Sequence, residues 1–389
     1  MGYSNKDDRV PDDELKYWLA LTQDHNLLGS KKIALLLDRF RSMEVAWHAS
    51  DDELRGVSAD LFTPVILKKL AAFRKTCNPD EILARLRKTD VEAITFVDPA
   101  YPFKLRHAHE PPMVIYARGN FPPPQRLNYV CAIVGTRKAT QYGLKTARDI
   151  SQQLVQSGCI IASGMASGID SAAHWGAIEG GGVTIAVLAG GVDVIYPPPN
   201  KKLYDAILSN NGCVVSEYFP GTQPDKWMFP QRNRIVAGIS QAITIVEAPE
   251  SSGALITAHM AFDSGGEVFV IPGRIDSPTF KGSNALVINR KAHLIASAED
   301  LLKEMNWVKV EAPHMVPTVV ELFGREKEIY DLLVEVPTHF DVLCERTGMP
   351  AGEMSATLTM LELAGIVVRH PGDWYSKVTK DNPAPSLPM

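Results

Sequence analysis

The chain has 389 residues, more than most single hydrophobic cores hold, so two or three domains are expected. Its apolar and charged fractions are those of an ordinary globular protein, which excludes a collagenous, disordered or multispanning membrane chain. A formal net charge of −5 excludes polyanion binding through overall basicity, so any such site is local.

In chain order, residues 1–13 are polar and acidic, unlike a secretory signal, and a cytoplasmic protein without membrane attachment is expected. Residues 1–78 read as a helical domain of sterile-alpha-motif (SAM) or helix-hairpin-helix type. Apolar residues recur at helical spacing over 33–40 after Gly29-Ser30, and Asp51-Asp52-Glu53 place acids where a helix dipole favours them. Lys31 and Lys32 offer a backbone contact to DNA, but the glycine pair of a DNA-clamping hairpin is absent, which favours a plain helical adaptor. Residues 79–126 are punctuated by Pro99, Pro102, Pro111-Pro112 and Pro122-Pro123-Pro124 around strand-like runs at 93–97 and 113–117. They read as an extension packed on the domain that follows, the two together covering 79–305.

From residue 130 the chain alternates short apolar runs with amphipathic segments. Strands are expected at 130–134, 159–162, 184–188, 213–216, 242–247, 267–271 and 293–296. Such alternation predicts an α/β fold: a Rossmann-like, doubly wound, mostly parallel sheet covered on both faces. Of the five cysteines, Cys131, Cys159 and Cys213 fall in these runs, Cys77 and Cys344 stand alone, and none forms C-x-x-C. That argues against a disulfide framework or zinc knuckle and fits a reducing compartment. Residues 306–315 read as a linker. A winged helix is expected over 316–380, with helices at 326–333, 340–346 and 351–363 and strands at 366–369 and 374–378 around Pro371-Gly372-Asp373. Residues 381–389 read as a disordered tail.

In a doubly wound sheet ligands bind beyond the carboxyl ends of the strands, so the loops there carry the chemistry. Gly135-Thr136-Arg137 joins a strand to a helix and offers close backbone approach plus a fork of donors. Ser163-Gly164 opens a loop through Ser167 and Gly168 to Asp170 and His174. Its G-x-x-S-G spacing is not the G-x-S-x-G of a nucleophile elbow, and Asp170 and His174 lack a third metal ligand, so structural roles are expected. Gly190-Gly191 leads to Tyr196, which presents a flat face for a base, and to Lys201 and Lys202. Lys226-Trp227-Met228-Phe229-Pro230 runs into Gln231-Arg232-Asn233-Arg234, joining aromatics to arginines as single-stranded nucleic acid requires. The competing reading pairs one arginine with Glu217 or Glu247. Ser252-Gly253 starts a further helix, and Lys281 starts another after Pro272-Gly273-Arg274.

The ordered series V-G-T-R, S-G-M-A-S-G-I-D-x-x-A-H, Y-P-P-P-N, S-E-Y, F-P-Q-R-N-R-I-V-A-G, E-A-x-x-S-S-G-A-L-I-T-A and I-P-G closely resembles the DprA/Smf family of bacterial DNA-processing proteins. The resemblance covers roughly residues 101–302. It implies a homodimer that binds single-stranded DNA and loads the RecA recombinase during natural transformation; from the residues themselves, which offer no convincing base, nucleophile or metal cluster, no cofactor, metal or catalytic residue is expected. Arg137, Gly164, Gly168, Arg232, Asn233 and Arg234 carry over as groove residues. Where many relatives place a basic residue after the tyrosine-proline of the third loop, Pro198 stands here, leaving Lys201 and Lys202 a helical turn away. The presumed recognition helix at 351–363 has no lysine or arginine and carries Glu353 and Glu362, which favours protein contact or wing contacts through Arg369 and Lys377. The rival class is a nucleotide-processing Rossmann enzyme such as a nucleoside-monophosphate phosphoribohydrolase. Its P-G-G-x-G-T loop is missing around Gly253.

Overall fold

The computed structural model describes residues 9–24, 27–307, 324–333, 337–363, 366–370 and 372–377. The described residues up to Pro123, with Tyr129–Ala298, group into one unit; Pro124–Asn128 and those from Glu299 onward group into a second.

The first unit begins with six helices: α1 (Asp12–Leu21), α2 (Ser30–Phe40), α3 (Met43–His48), α4 (Asp51–Val57), α5 (Pro64–Thr76) and α6 (Pro79–Arg87). Local signals set their starts. Ser50 and Glu53 form a reciprocal capping box on α4, and Thr63 caps α5 just before Pro64. The short α3 is held by charge at both ends. Glu14 accepts from Ser42 Oγ at 2.9 Å and from the backbone N–H groups of Met43 and Glu44 at its start. At its end Arg74 donates to the carbonyls of Ala46 and Ala49, both at 2.9 Å. Trp18, Leu19, Leu36 and Phe62 are buried in the same apolar cluster as Val114, Tyr116, Ala186 and Val214. The helices therefore close over one end of the sheet and share its core.

The sheet is built from β1 (Glu92–Thr95), β2 (Val114–Gly119), β3 (Val130–Val134), β4 (Ile160–Ser163), β5 (Thr184–Val187), β6 (Cys213–Ser216), β7 (Ala242–Ile245), β8 (Glu267–Val270) and β9 (His293–Leu294). Its helices are α7 (Phe103–Arg106), α8 (Gln141–Gln156), α9 (Ile169–Glu179), α10 (Lys201–Ser209), α11 (Met228–Ile239), α12 (Gly253–Asp263) and α13 (Lys281–Ile288), and α14 (Ala298–Glu304) follows. The order is β1-β2-β6-β5-β4-β3-β7-β8-β9. From β6 to β9 every pair is parallel. The doubly wound sheet expected from the alternation is thus present, and β3 is buried along its whole length because helices cover both faces. The two runs read as an extension add β1 and β2 antiparallel beyond β6. Burial pushes the Cys131 thiol up to about 12, as suits a core residue.

In the second unit α15 (Gly324–Leu332), β10 (Thr338–His339), α16 (Phe340–Thr347), α17 (Ala351–Leu363), β11 (Val367–His370) and β12 (Trp374–Lys377) form the expected winged helix. Ile329, Leu343, Leu358 and Val367 are among its core residues. Strand β10 pairs with β12 and was not foreseen, since two residues carry no readable alternation. Most of the expected linker, Pro371 and the expected tail lie outside the described residues.

Helices α8 and α9 approach most closely at Gly176, where an added Cβ would stand 2.1 Å from the Arg148 carbonyl oxygen. Gly176→Ala is therefore expected to lower stability by about 1–3 kcal/mol, as overpacking does. The measurement is the urea midpoint. An unchanged midpoint would show that this contact is not tight.

Candidate nucleic-acid interface

Strand order reverses at β3, so the crevice between the ends of β3 and β7 is where a Rossmann fold holds a nucleotide, its phosphates on the following helix N-terminus. Here the chain fills that place itself. Glu247, just past β7, is fully buried, and its Oε2 accepts from the Thr140 backbone N–H at 3.0 Å while Oε1 accepts from the Thr140 hydroxyl. Thr140 Oγ1 in turn accepts from Gly143 N at 3.2 Å, capping α8. A side chain at Gly143 would put Cβ 2.5 Å from Glu247 Oε1. The Glu247 carbonyl takes the Thr136 N–H at 2.7 Å. The positive end of α8 is therefore neutralised by a built-in carboxylate, and a second anion there would meet like charge.

The next loop is held from beneath. Ser163 Oγ donates to the Ile133 carbonyl at 2.7 Å, and the Asp170 carboxylate accepts from Gly164 N at 3.2 Å and Ala166 N at 3.4 Å. Arg232 enters from α11 and lies directly against Gly164, where an added Cβ would stand 1.5 Å from Nη1. Its Nη1 donates to the Val187 carbonyl at 2.9 Å, and the residue is only 5% exposed. Burial raises the Asp170 carboxyl above its ordinary range, and the Arg232 charge pulls it back. His174 is fully buried, with Nδ1 2.7 Å from Thr184 Oγ1; burial first and Arg232 second push it down to about 3. Arg234 pairs with Glu217, their side chains 10% and 4% exposed, and also donates to the Glu110 carbonyl.

These positions correct the expected groove. Ser163, Gly164 and Arg232 lie below the surface, and Arg234 is committed to Glu217, because each is needed to satisfy buried polar groups. Gly135 and Gly168 act by letting loops meet: added Cβ atoms would lie 2.8 Å from the Glu247 carbonyl and 2.4 Å from the Thr136 carbonyl, respectively. Gly168 also has φ +85°, which a side chain resists.

What remains at the surface forms a shelf of rings and cations. The Arg137 guanidinium lies 5.3 Å from the centre of the Phe229 ring, and Tyr196 meets the same ring edge-on at 5.5 Å. Trp227 packs edge-on against the buried Tyr218 at 6.0 Å. Met228 between the two rings is buried and anchors the turn, leaving Trp227 43% and Tyr196 45% exposed. Lys138, Lys202, Lys226 and Lys281 are exposed, whereas Lys201 pairs with Asp205 at 2.6 Å. Thr136 is half-buried beside Arg137. Asn233 donates to the Gly253 carbonyl at 3.4 Å, and Ser252 caps α12 through Ala254 N at 3.3 Å. Lys138 was not singled out from sequence, although it directly follows the G-T-R run. Exposed rings stack bases at about 1–3 kcal/mol each, and exposed cations answer phosphates.

The model of the family described as DNA recombination-mediator protein A matches residues 92–306, and the model of the DprA winged helix domain matches residues 316–373. The protein Smf of Synechocystis is 33% identical over 94% of this chain and 99% of its own length. The DNA processing protein DprA of Bacillus subtilis is 38% identical over 58% of this chain and 74% of its own. Among solved structures, DNA processing protein A from Streptococcus pneumoniae superposes with a TM-score of 0.64 at 31% identity, covering 76% of this chain and 98% of that one.

Two measurements follow from the buried groups. Glu247→Ala leaves the Thr140 N–H and hydroxyl without their acceptor and is expected to lower stability by about 2 kcal/mol in a urea titration; an unchanged value would remove the carboxylate from its place as the anchor. His174 is expected to stay neutral, its ring signals unmoved by NMR between pH 8 and pH 5. The unfolded chain protonates it near 6.5 and the folded chain only near 3, so this histidine lowers stability as pH falls through that window. A titration midpoint near 6.5 in the folded protein would contradict its burial.

Proposed function

The chain belongs to the DNA recombination-mediator protein A family, and from that premise we propose that it binds single-stranded DNA on the ring-and-cation shelf. In this reading it is a homodimer acting in the cytoplasm, which protects incoming DNA during natural transformation and loads a RecA recombinase on it. The single observation that carries the reading is the Arg137–Phe229–Tyr196 cluster, which sets two aromatic rings and a cation side by side. Thr136, Arg137, Lys202, Lys226, Trp227, Phe229, Asn233, Ser252, Gly253 and Lys281 are the proposed contacts. Lys201 joins them on exchanging Asp205 for a phosphate. Self-association is supported by apolar side chains near the sheet edge, with Ile288 79%, Leu294 56%, Phe262 44% and Ile256 42% exposed.

The reading is of a binder and not a catalyst. Glu247 occupies the anion place a nucleotide enzyme would use, and His174 is enclosed in the core. Incubation with nucleoside monophosphates is expected to release no base, and turnover would establish the phosphoribohydrolase reading instead.

Oligo-dT is expected to bind with an affinity that falls steeply with salt. Arg137→Ala should reduce the magnitude of the log–log salt slope by about 0.7, the value of one lost phosphate contact. Phe229→Ala should weaken binding about tenfold at unchanged slope, as a lost stacking face does. Arg232→Ala should instead appear as lost stability, since it leaves Asp170 uncompensated in the core. Normal binding by an Arg137→Ala/Phe229→Ala double variant would refute the shelf.

A further inference from the structure

Beside the shelf, on the face of the sheet covered by α8 and α9, lies a cleft of about 480 Å³. Among its walls are Leu144, Lys145 and Arg148 from α8, Ser171 and Trp175 from α9, and Asn200. The reason for the cleft is local. The two helices are drawn together at Gly176 and Gly180, where added Cβ atoms would strike α8. Nearer their N-termini, Gln141, Leu144 and Lys145 of α8 and Ser171 and Ala172 of α9 line the cleft. Gly168 belongs to both places: it lines the cleft and sits flush against the carbonyls of Thr136 and Arg137.

The chemistry of the cleft repeats that of the shelf. Trp175 is half-buried and offers a ring, and Leu144 and Ala172 give an apolar floor. Lys145 and Arg148 line it, whereas their acidic partners Asp149 and Glu179 stand outside the lining. The Lys145–Asp149 pair is well exposed, and a surface pair of this kind contributes little, so a phosphate can take Lys145 over, whereas Glu179 accepts two hydrogen bonds from Arg148. Asn200 Nδ2 donates to Ser171 Oγ at 3.0 Å and to the Met165 carbonyl at 2.7 Å, which fixes the far wall.

We infer that this cleft is a second subsite for single-stranded DNA, continuous with the shelf across Gly168, in which a base stacks on Trp175 and the backbone lies along Lys145 and Arg148. From the first to the last lining residue of α8 the wall runs about 10 Å at the helical rise, room for a stacked base and its flanking phosphates. A cleft of this volume is in the range that holds small planar ligands. The inference rests on the shelf reading. It extends the path of the same strand from the ends of the strands onto the helical face.

The test compares oligo-dT of about four nucleotides, which the shelf alone accommodates, with one of about twelve. Both are titrated into the full chain by fluorescence anisotropy. Trp175→Ala is expected to weaken the longer oligonucleotide about tenfold and leave the shorter one unchanged. Trp175→Phe, which keeps a ring and guards against a folding defect, should restore most of the loss. Lys145→Glu should lower the salt slope for the longer oligonucleotide only. Equal affinity of Trp175→Ala and wild type for the longer oligonucleotide overturns the inference and leaves the shelf intact, and the cleft then serves another occupant, such as a protein side chain. Equal loss for both lengths also overturns it, since Trp175 then acts through the shelf. Failure of the unmodified protein to bind either length sinks the shelf reading and this one with it.

Discussion

The carboxylate of Glu247, buried at the positive end of α8, is the contact on which the functional edge of the sheet depends. It takes the Thr140 N–H and hydroxyl, presses on Gly143, and through its own carbonyl fixes Thr136 beside Arg137. A Rossmann fold ordinarily leaves that helix end open for a phosphate. Here a side chain closes it without altering the fold, and the loop after β3 carries an exposed arginine.

The same division runs through the other charged residues at this edge. Arg232 and Arg234 look in sequence like the centre of a polyanion site, yet both are spent within the protein, one against Val187 and Asp170 and the other on Glu217 and Glu110. Their burial is what makes the neighbouring rings useful. They hold α11 in place while Trp227, next to the buried Met228, stays 43% exposed and Phe229 is half-buried against the Tyr218 and Met228 side chains. Lys138, Lys202, Lys226 and Lys281 are exposed, and Arg137 lies over the Phe229 ring.

The second unit is arranged differently. The exposed side of α17 carries Met360 at 57% exposure, and its Glu353 pairs with Arg325 at 2.9 Å. In the wing, Arg369 is paired with Asp373 and Lys377 lies 4.5 Å from the centre of the Tyr330 ring. Helix α17 thus has no basic residue, and the wing cations Arg369 and Lys377 are engaged within the unit.

Much of this was legible in the chain itself. Glycine-ended apolar runs alternating with amphipathic segments determined the doubly wound sheet, since periodicity and burial on two faces follow from residue type alone. The order of the short motifs determined the family, and the aromatic pair beside the Arg-Asn-Arg segment marked α11 as the informative helix. The sequence could not show which of those polar residues face solvent, because Arg137, Arg232 and Arg234 are the same chemical group. Only the crossing of α11 over β5, with the Val187 carbonyl and Asp170 waiting beneath it, decided that Arg232 is structural. Likewise the pairing of Glu247 with Thr140 spans 107 positions, and the opening between α8 and α9 arises from glycines that act on another helix. Such long-range neighbours leave no local pattern, so the tertiary structure alone separated the residues that hold the loops from those left at the surface.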